Sequence, residues 1–237
     1  MPTKVYVSSV PATSKANIQE TFSYRKSGWA AIASGIIGIL AAGSLITYLI
    51  LRSSSQEVTI FLSRVHDGGV FLQFLLLIPV VFGLHKLSLL RPPGMSRTIL
   101  SMGVGAVLWV VFCLLLTLPK VVAEVLYMFP QGVFGGWLMV VCWRLRNNLS
   151  PGLRWFGIIV GFGLALVGIF PLGYAIFVDT IILQIPAASE EAVAKIPITP
   201  ANMVLHWFLW VGSPMGVLTL PFWTILIGRR LLRESHI

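Results

Sequence analysis

The chain has 237 residues, 57% hydrophobic and 11% charged, with a formal net charge of +9 and a mean hydropathy of +0.89. A water-soluble domain of this length cannot bury so much apolar surface in one core, so the composition excludes that class and indicates an all-α polytopic membrane protein. The basic excess does not indicate a nucleic-acid partner. Its charges are scattered over short loops flanking apolar segments, where they set topology and meet anionic lipid.

Residues 1–27 are polar and rich in Ser and Thr, and read as a flexible cytoplasmic tail ahead of a transmembrane domain over 28–237. A helix rises about 1.5 Å per residue, so about 20 apolar residues cross a hydrocarbon core of about 30 Å. Six stretches meet that length, at about 29–51, 69–90, 99–118, 121–143, 155–178 and 203–227, which predicts a bundle of six transmembrane helices. The segments are continuously apolar, unlike the alternating strands of a lipid-facing barrel.

In chain order, the first span carries small residues at four-residue spacing, Ser34, Gly38 and Ala42, a pattern that lets helix backbones approach closely in lipid. Arg64, His66 and Asp67 precede the second span, which contains Pro79, and the third contains Cys113. Glu124 falls one turn into the fourth span, four residues after Lys120, and Gly132 with Gly136 continues that helix as a second small-residue pair. The fifth holds Gly157, Gly161 and Ala165 and closes at Asp179. A long loop follows, with a short helix expected over Glu190 to Lys195, and His206 then lies one turn into the sixth span beside Trp207 and Trp210. Pro79, Pro130, Pro171, Pro214 and Pro221 predict kinks, since each removes a backbone hydrogen bond.

Orientation follows from the loops. Thirteen of the seventeen Lys and Arg residues fall on one side: Lys4, Lys15, Arg25, Lys26, Lys86, Arg91, Arg97, Arg144, Arg146, Arg154, Arg229, Arg230 and Arg233. Only Arg52, Arg64, Lys120 and Lys195 fall on the other. The positive-inside rule therefore places both termini in the cytoplasm.

Ionisable residues near membrane depth are candidates for function. Arg64, His66, Asp67, Glu124, Asp179 and His206 form a candidate polar cluster at the outer ends of the second, fourth, fifth and sixth spans. His66, Glu124 and His206 are the residues of that set suited to a metal, and His66 with His206 is the one pair suited to haem. None of the six shows a metal-binding spacing, so neither cofactor is predicted and no catalytic residue is assigned. The chain has no Gly-rich phosphate loop, GxSxG, HExxH or CxxC motif.

The inner loop and following span, Leu145 to Gly168 (LRNNLSPGLRWFGIIVGFGLALVG), open a glycine-rich helix with a Pro-Gly-Leu-Arg-Trp turn. In this the chain resembles six-span bacterial membrane families without a described chemistry. The resemblance implies a six-helix fold and a bacterial inner-membrane location, and carries over no catalytic residue. The functional expectation is a non-enzymatic accessory or structural subunit of a membrane complex, with protein partners or a second copy held through its small-residue faces and the outer loop between the fifth and sixth spans. The rivals are an outer-face metal, haem or lipid-headgroup site, and a small-solute transporter working through the proline kinks.

Overall fold

The computed structural model describes residues 12–51, 56–90, 94–117, 121–184, 196 and 199–235. Its helices are α1 (Ala12–Leu51), α2 (Gln56–Leu89), α3 (Arg97–Thr117), α4 (Met128–Arg144), α5 (Pro151–Phe177), α6 (Pro200–Gly212) and α7 (Leu220–Glu234). Short 3-10 turns cover Glu124–Tyr127, Leu145–Asn147 and Thr180–Leu183, and a π turn, Ser213–Val217, joins α6 to α7. Six helical runs are long and apolar enough to cross a membrane, the last being the composite Pro200–Glu234. The expected helix over Glu190 to Lys195 lies outside the described residues, as do the first eleven residues of the tail.

Three boundaries differ from the sequence expectation. First, α1 starts at Ala12, so the tail expected over 1–27 is helical from that residue on. Hydropathy finds where the apolar run begins, but Ala, Lys, Gln and Glu continue a helix equally well outside the bilayer. Second, α2 starts at Gln56, with Glu57 in its first turn where the helix dipole favours an acid. Arg64, His66 and Asp67 therefore sit within the helix instead of before it. At 34 residues α2 is about 51 Å long and must tilt or project beyond the hydrocarbon.

Third, α4 starts at Met128, after the 3-10 turn that holds Glu124. Pro130 consequently stands in the first helical turn, where its missing N–H has no intrahelical acceptor to lose. Pro221 is likewise at the start of α7, and Pro214 lies in the π turn. Among the five prolines, only Pro79 and Pro171 interrupt a helix from inside.

Each helix packs on its chain neighbour, from α1 on α2 through to α5 on α6, and α7 returns to pack against α1, so the bundle closes on itself. The core joins buried residues of α1, α2, α3, α4, α5 and α7, with Phe74 edge-on to Phe134 and Phe134 stacked on Trp137.

α1 meets two partners with two stripes. Residues Ser27, Ser34 and Ala41, one heptad apart, face α2. Ser27 Oγ donates to Pro79 O at 2.7 Å and Ser34 Oγ to Gln73 O at 3.0 Å, while His66 Nδ1 donates to Ala41 O at 3.0 Å. Gly28 and Gly35, also a heptad apart, press on α7 near Gly228 and Pro221. Ala42 of the expected stripe is thus only half-buried, and its neighbour Ala41 is the residue buried at this turn.

α4 and α5 pair similarly. Gly132 abuts Gly168, Gly135 abuts Gly161 and Leu164, Met139 abuts Gly161, and Cys142 abuts Gly157. Along α4 these positions recur with a 3-4-3 spacing, which suits an antiparallel hairpin whose contacts average 3.5 residues apart. The expected four-residue pair Gly132 and Gly136 therefore gives way to Gly132 and Gly135, and a Cβ at Gly136 would meet nothing within 4 Å. Ala165 is half-buried beside Gly135, while Gly157 and Gly161 are buried at the seam.

The α1–α2 bonds give a modest prediction. Interhelical hydrogen bonds in lipid average about 0.6 kcal/mol, because the separated helices also find partners. Ser34→Ala should cost about that much, and Ser27→Ala/Ser34→Ala about twice it, read as a small fall in the thermal midpoint in mild detergent. A fall as large as that of a core truncation would show that the seam depends on these bonds.

Candidate functional site

At the end of the bundle away from the α4–α5 connection, the sequence candidates are engaged by different helices. His66 is buried, at 7% exposure, and its Nδ1 faces a carbonyl, so that nitrogen carries the proton. His206 is exposed on α6, where its Nδ1 donates to Asn202 O at 2.9 Å, one turn back. Its ring lies edge-on to Phe170 and Tyr174 of α5, with centroids 5.7 and 6.0 Å away. Among the described residues the two histidines share no hydrogen-bond or ring partner.

Asp179 is exposed and caps the turn after α5, its carboxylate accepting from Ile181 N at 2.8 Å. Arg64 is exposed and Asp67 half-buried on α2. The Glu124 side chain lies outside the described residues. Among the described residues no three His, Cys, Asp or Glu gather in a group that could hold a metal ion.

At membrane depth, Gln73 is the polar side chain to account for. It is 5% exposed, and its amide lies where α1, α2 and α7 meet, against Gly38 and Pro221. Gln73 Nε2 is buried without a hydrogen-bond partner, as is Trp223 Nε1 against Gly157 and Cys142.

The other end of the bundle, which carries the α4–α5 connection and the end of α7, holds a feature missed in the sequence. A cavity of about 580 Å³ is lined by Asn148, Ser150, Gly152 and Leu153 at the start of α5, Phe156 one turn on, and Leu226, Arg229, Arg230 and Arg233 of α7. The connection is held down by buried Leu145 and Leu149, and by Asn148, whose side-chain amide donates to Leu87 O of α2. Arg230 pairs with Glu234 one turn on, and it also donates to Asn148 O at 3.5 Å.

Arg229 and Arg233 are exposed, four residues apart on one helix face, and have no ion pair among the described residues. Ser150 occupies the N-cap position of α5 with no side-chain cap bond, and Pro151 supplies no N–H. The amides of Gly152 and Leu153 thus begin a helix of 27 residues without a side-chain acceptor, at its positive dipole end. The signals in the sequence are Ser-Pro-Gly at a helix start and Arg-Arg-x-x-Arg at the last helix end. They stand 75 residues or more apart, so only packing of α7 beside α5 reveals them as one site.

Comparison of the chain with protein-family models, with curated proteins and with solved structures gives no match. The fold and its two ends therefore carry the functional reading alone.

Proposed function

We propose that this chain is a non-enzymatic component of the bacterial cytoplasmic membrane, with both termini cytoplasmic, that serves as an accessory or structural subunit of a membrane complex. The observation that carries this reading is the use made of polar side chains inside the bundle. Ser27, Ser34, His66, Trp137 and Asn148 each direct a donor to a backbone carbonyl of a neighbouring helix. In lipid, such bonds fix helix register and orientation and leave those groups engaged in architecture. Large apolar side chains of α1, α3 and α6, such as Leu40, Ile50, Phe112 and Trp210, face outward, where lipid or apolar partner helices meet them.

The orientation rests on the basic residues gathered at one end: Arg144 and Arg146 close to the α4–α5 connection, and Arg229 and Arg233 at the end of α7. Purification of the full chain from its native membrane in mild detergent, followed by mass spectrometry and an absorption spectrum on one sample, tests the proposal. The expected result is a fixed stoichiometry with another membrane protein or a second copy, and no Soret band. A solitary monomer that carries haem or a tightly held metal overturns it and makes His66 and His206 the first residues to replace.

A further inference from the structure

The cavity between the start of α5 and the end of α7 has the chemistry of an anion site set at the membrane surface. Its charge comes from Arg229, Arg230 and Arg233, against the single carboxylate of Glu234. Like charges four residues apart on a helix repel, and no acid among the described residues relieves Arg229 and Arg233. The uncapped amides of Gly152 and Leu153 add the positive end of α5 on the facing wall. The planar guanidinium groups of Arg229 and Arg233, with Arg230 between them held by Glu234 and Asn148, face uncapped backbone N–H groups and suit the several oxygens of a phosphate.

Depth and lining identify the source of that phosphate. Trp143 and Trp155 are exposed at this same end of α4 and α5, Trp29 is exposed on α1 beside the Gly28 that packs on Gly228 and Leu232, and Arg154 lies 5.4 Å over the Trp155 ring. Outward-facing tryptophans mark the headgroup level of a bilayer. The remaining wall is apolar, with Leu153, Phe156 and the exposed Leu226 leading from the arginines toward the hydrocarbon. A soluble phosphate compound has no use for that wall, whereas an acyl chain does.

We propose that this cavity binds the phosphate of an anionic phospholipid from the adjoining leaflet, with its acyl chains against Leu153, Phe156 and Leu226. A lipid held there bridges the α4–α5 hairpin and α7, and so ties together helices distant in sequence. The inference requires only the membrane-spanning fold, and it stands or falls separately from the subunit reading.

The test uses the full chain, delipidated in mild detergent and supplied with phosphatidylglycerol, phosphatidylcholine or inorganic phosphate. Retained lipid is read by native mass spectrometry, and the thermal midpoint is recorded for each. The expected result is about tenfold greater retention of phosphatidylglycerol than of phosphatidylcholine, whose choline cation offsets its phosphate and is repelled by the arginines; tenfold is about 1.4 kcal/mol, the size of one charge-assisted contact. Arg229→Gln/Arg233→Gln should abolish most of that preference. Arg25→Gln/Arg146→Gln, which removes two exposed charges from the same end outside the cavity, should preserve it.

Gly152→Asp separates binding from folding. A Cβ there meets nothing within 4 Å, and an acid in the first turn suits the helix dipole, so the lipid-free midpoint should hold while the preference is lost. Equal losses in the two arginine pairs would reduce the effect to general surface charge and overturn the proposal. Stabilisation by inorganic phosphate equal to that by phosphatidylglycerol would overturn the lipid assignment, and retention of the preference in Gly152→Asp would overturn the location.

Discussion

Trp223→Ala is expected to lower stability by about 2–4 kcal/mol, seen as a large fall in the thermal midpoint in mild detergent and a loss of monodisperse protein. Trp223 is 0% exposed and stands where α4, α5 and α7 meet, beside Cys142 and Gly157. Part of the cost that such a truncation carries in a soluble protein disappears in a bilayer, because lipid chains accept an indole ring about as readily as the core does. What remains is the void and the lost dispersion contacts around it, which no neighbouring helix can fill.

Two controls sharpen the expectation. Trp223→Phe keeps most of the ring and removes the unpartnered Nε1–H, so it should cost far less. Trp210→Ala, at a position 77% exposed, should leave the midpoint within about 0.5 kcal/mol of the parent protein. An equal fall for Trp210→Ala and Trp223→Ala would show that the core is not where the structure places it.

The second large effect is expected at Gly163. A Cβ added there would collide with the backbone nitrogen of Gly216 and stand 2.6 Å from the Met215 carbonyl carbon. Gly216 in turn presses on Leu164 and Gly163, so the π turn between α6 and α7 is seated directly on the backbone of α5. A wide turn of this kind takes up an extra residue, and here it coincides with a close approach of two backbones. Because the obstacles are main chain, they cannot rotate away, and Gly163→Leu must push α7 off α5.

The expected cost of Gly163→Leu exceeds about 3 kcal/mol, at the upper end of overpacking penalties, with loss of the folded peak in size-exclusion chromatography. Gly136→Ala provides the contrast. It has open space around it, and it should be neutral or stabilising by about 0.5–1 kcal/mol because alanine orders a helix at less entropic cost. If Gly136→Ala unfolded the protein and Gly163→Leu did not, the seam positions would be misassigned.

These two residues show where sequence reading stops. All eight tryptophans look alike in a hydropathy pattern, yet Trp137 and Trp223 fill the core while Trp29, Trp109, Trp143, Trp155, Trp207 and Trp210 face outward. Burial in a bilayer is not signalled by hydrophobicity, since both the core and the lipid accept an apolar ring. Small-residue spacing was legible in part. Ser34, Gly38, Gly132, Gly157 and Gly161 do lie at helix contacts, but a four-residue rule favoured Gly136 and Ala42 over Gly135 and Ala41. The side of a helix that meets a neighbour depends on that neighbour's crossing angle, which a single segment does not contain.

The ionisable residues near the start of the second span illustrate the same limit. Arg64, His66 and Asp67 were visible as an ionisable group, but their place inside α2 and the direction of His66 toward α1 depend on how far the helix extends and on what packs against it. The arginines of α7 were legible only as topology signals. Their meeting with the start of α5 comes from the closure of the bundle.

What the amino-acid sequence by itself determined was the class of the protein, the number and approximate limits of its spans, and the end at which its basic residues collect. These follow from the free energy of placing each segment in lipid, a property of local composition. The tertiary structure alone decided the break of the sixth span into α6, a π turn and α7, the two stripes of α1, the engagement of His66 and His206 by different helices, and the cavity of Arg229 and Arg233. Each of these depends on contacts between residues far apart in the chain, where close packing of one backbone against another selects the arrangement.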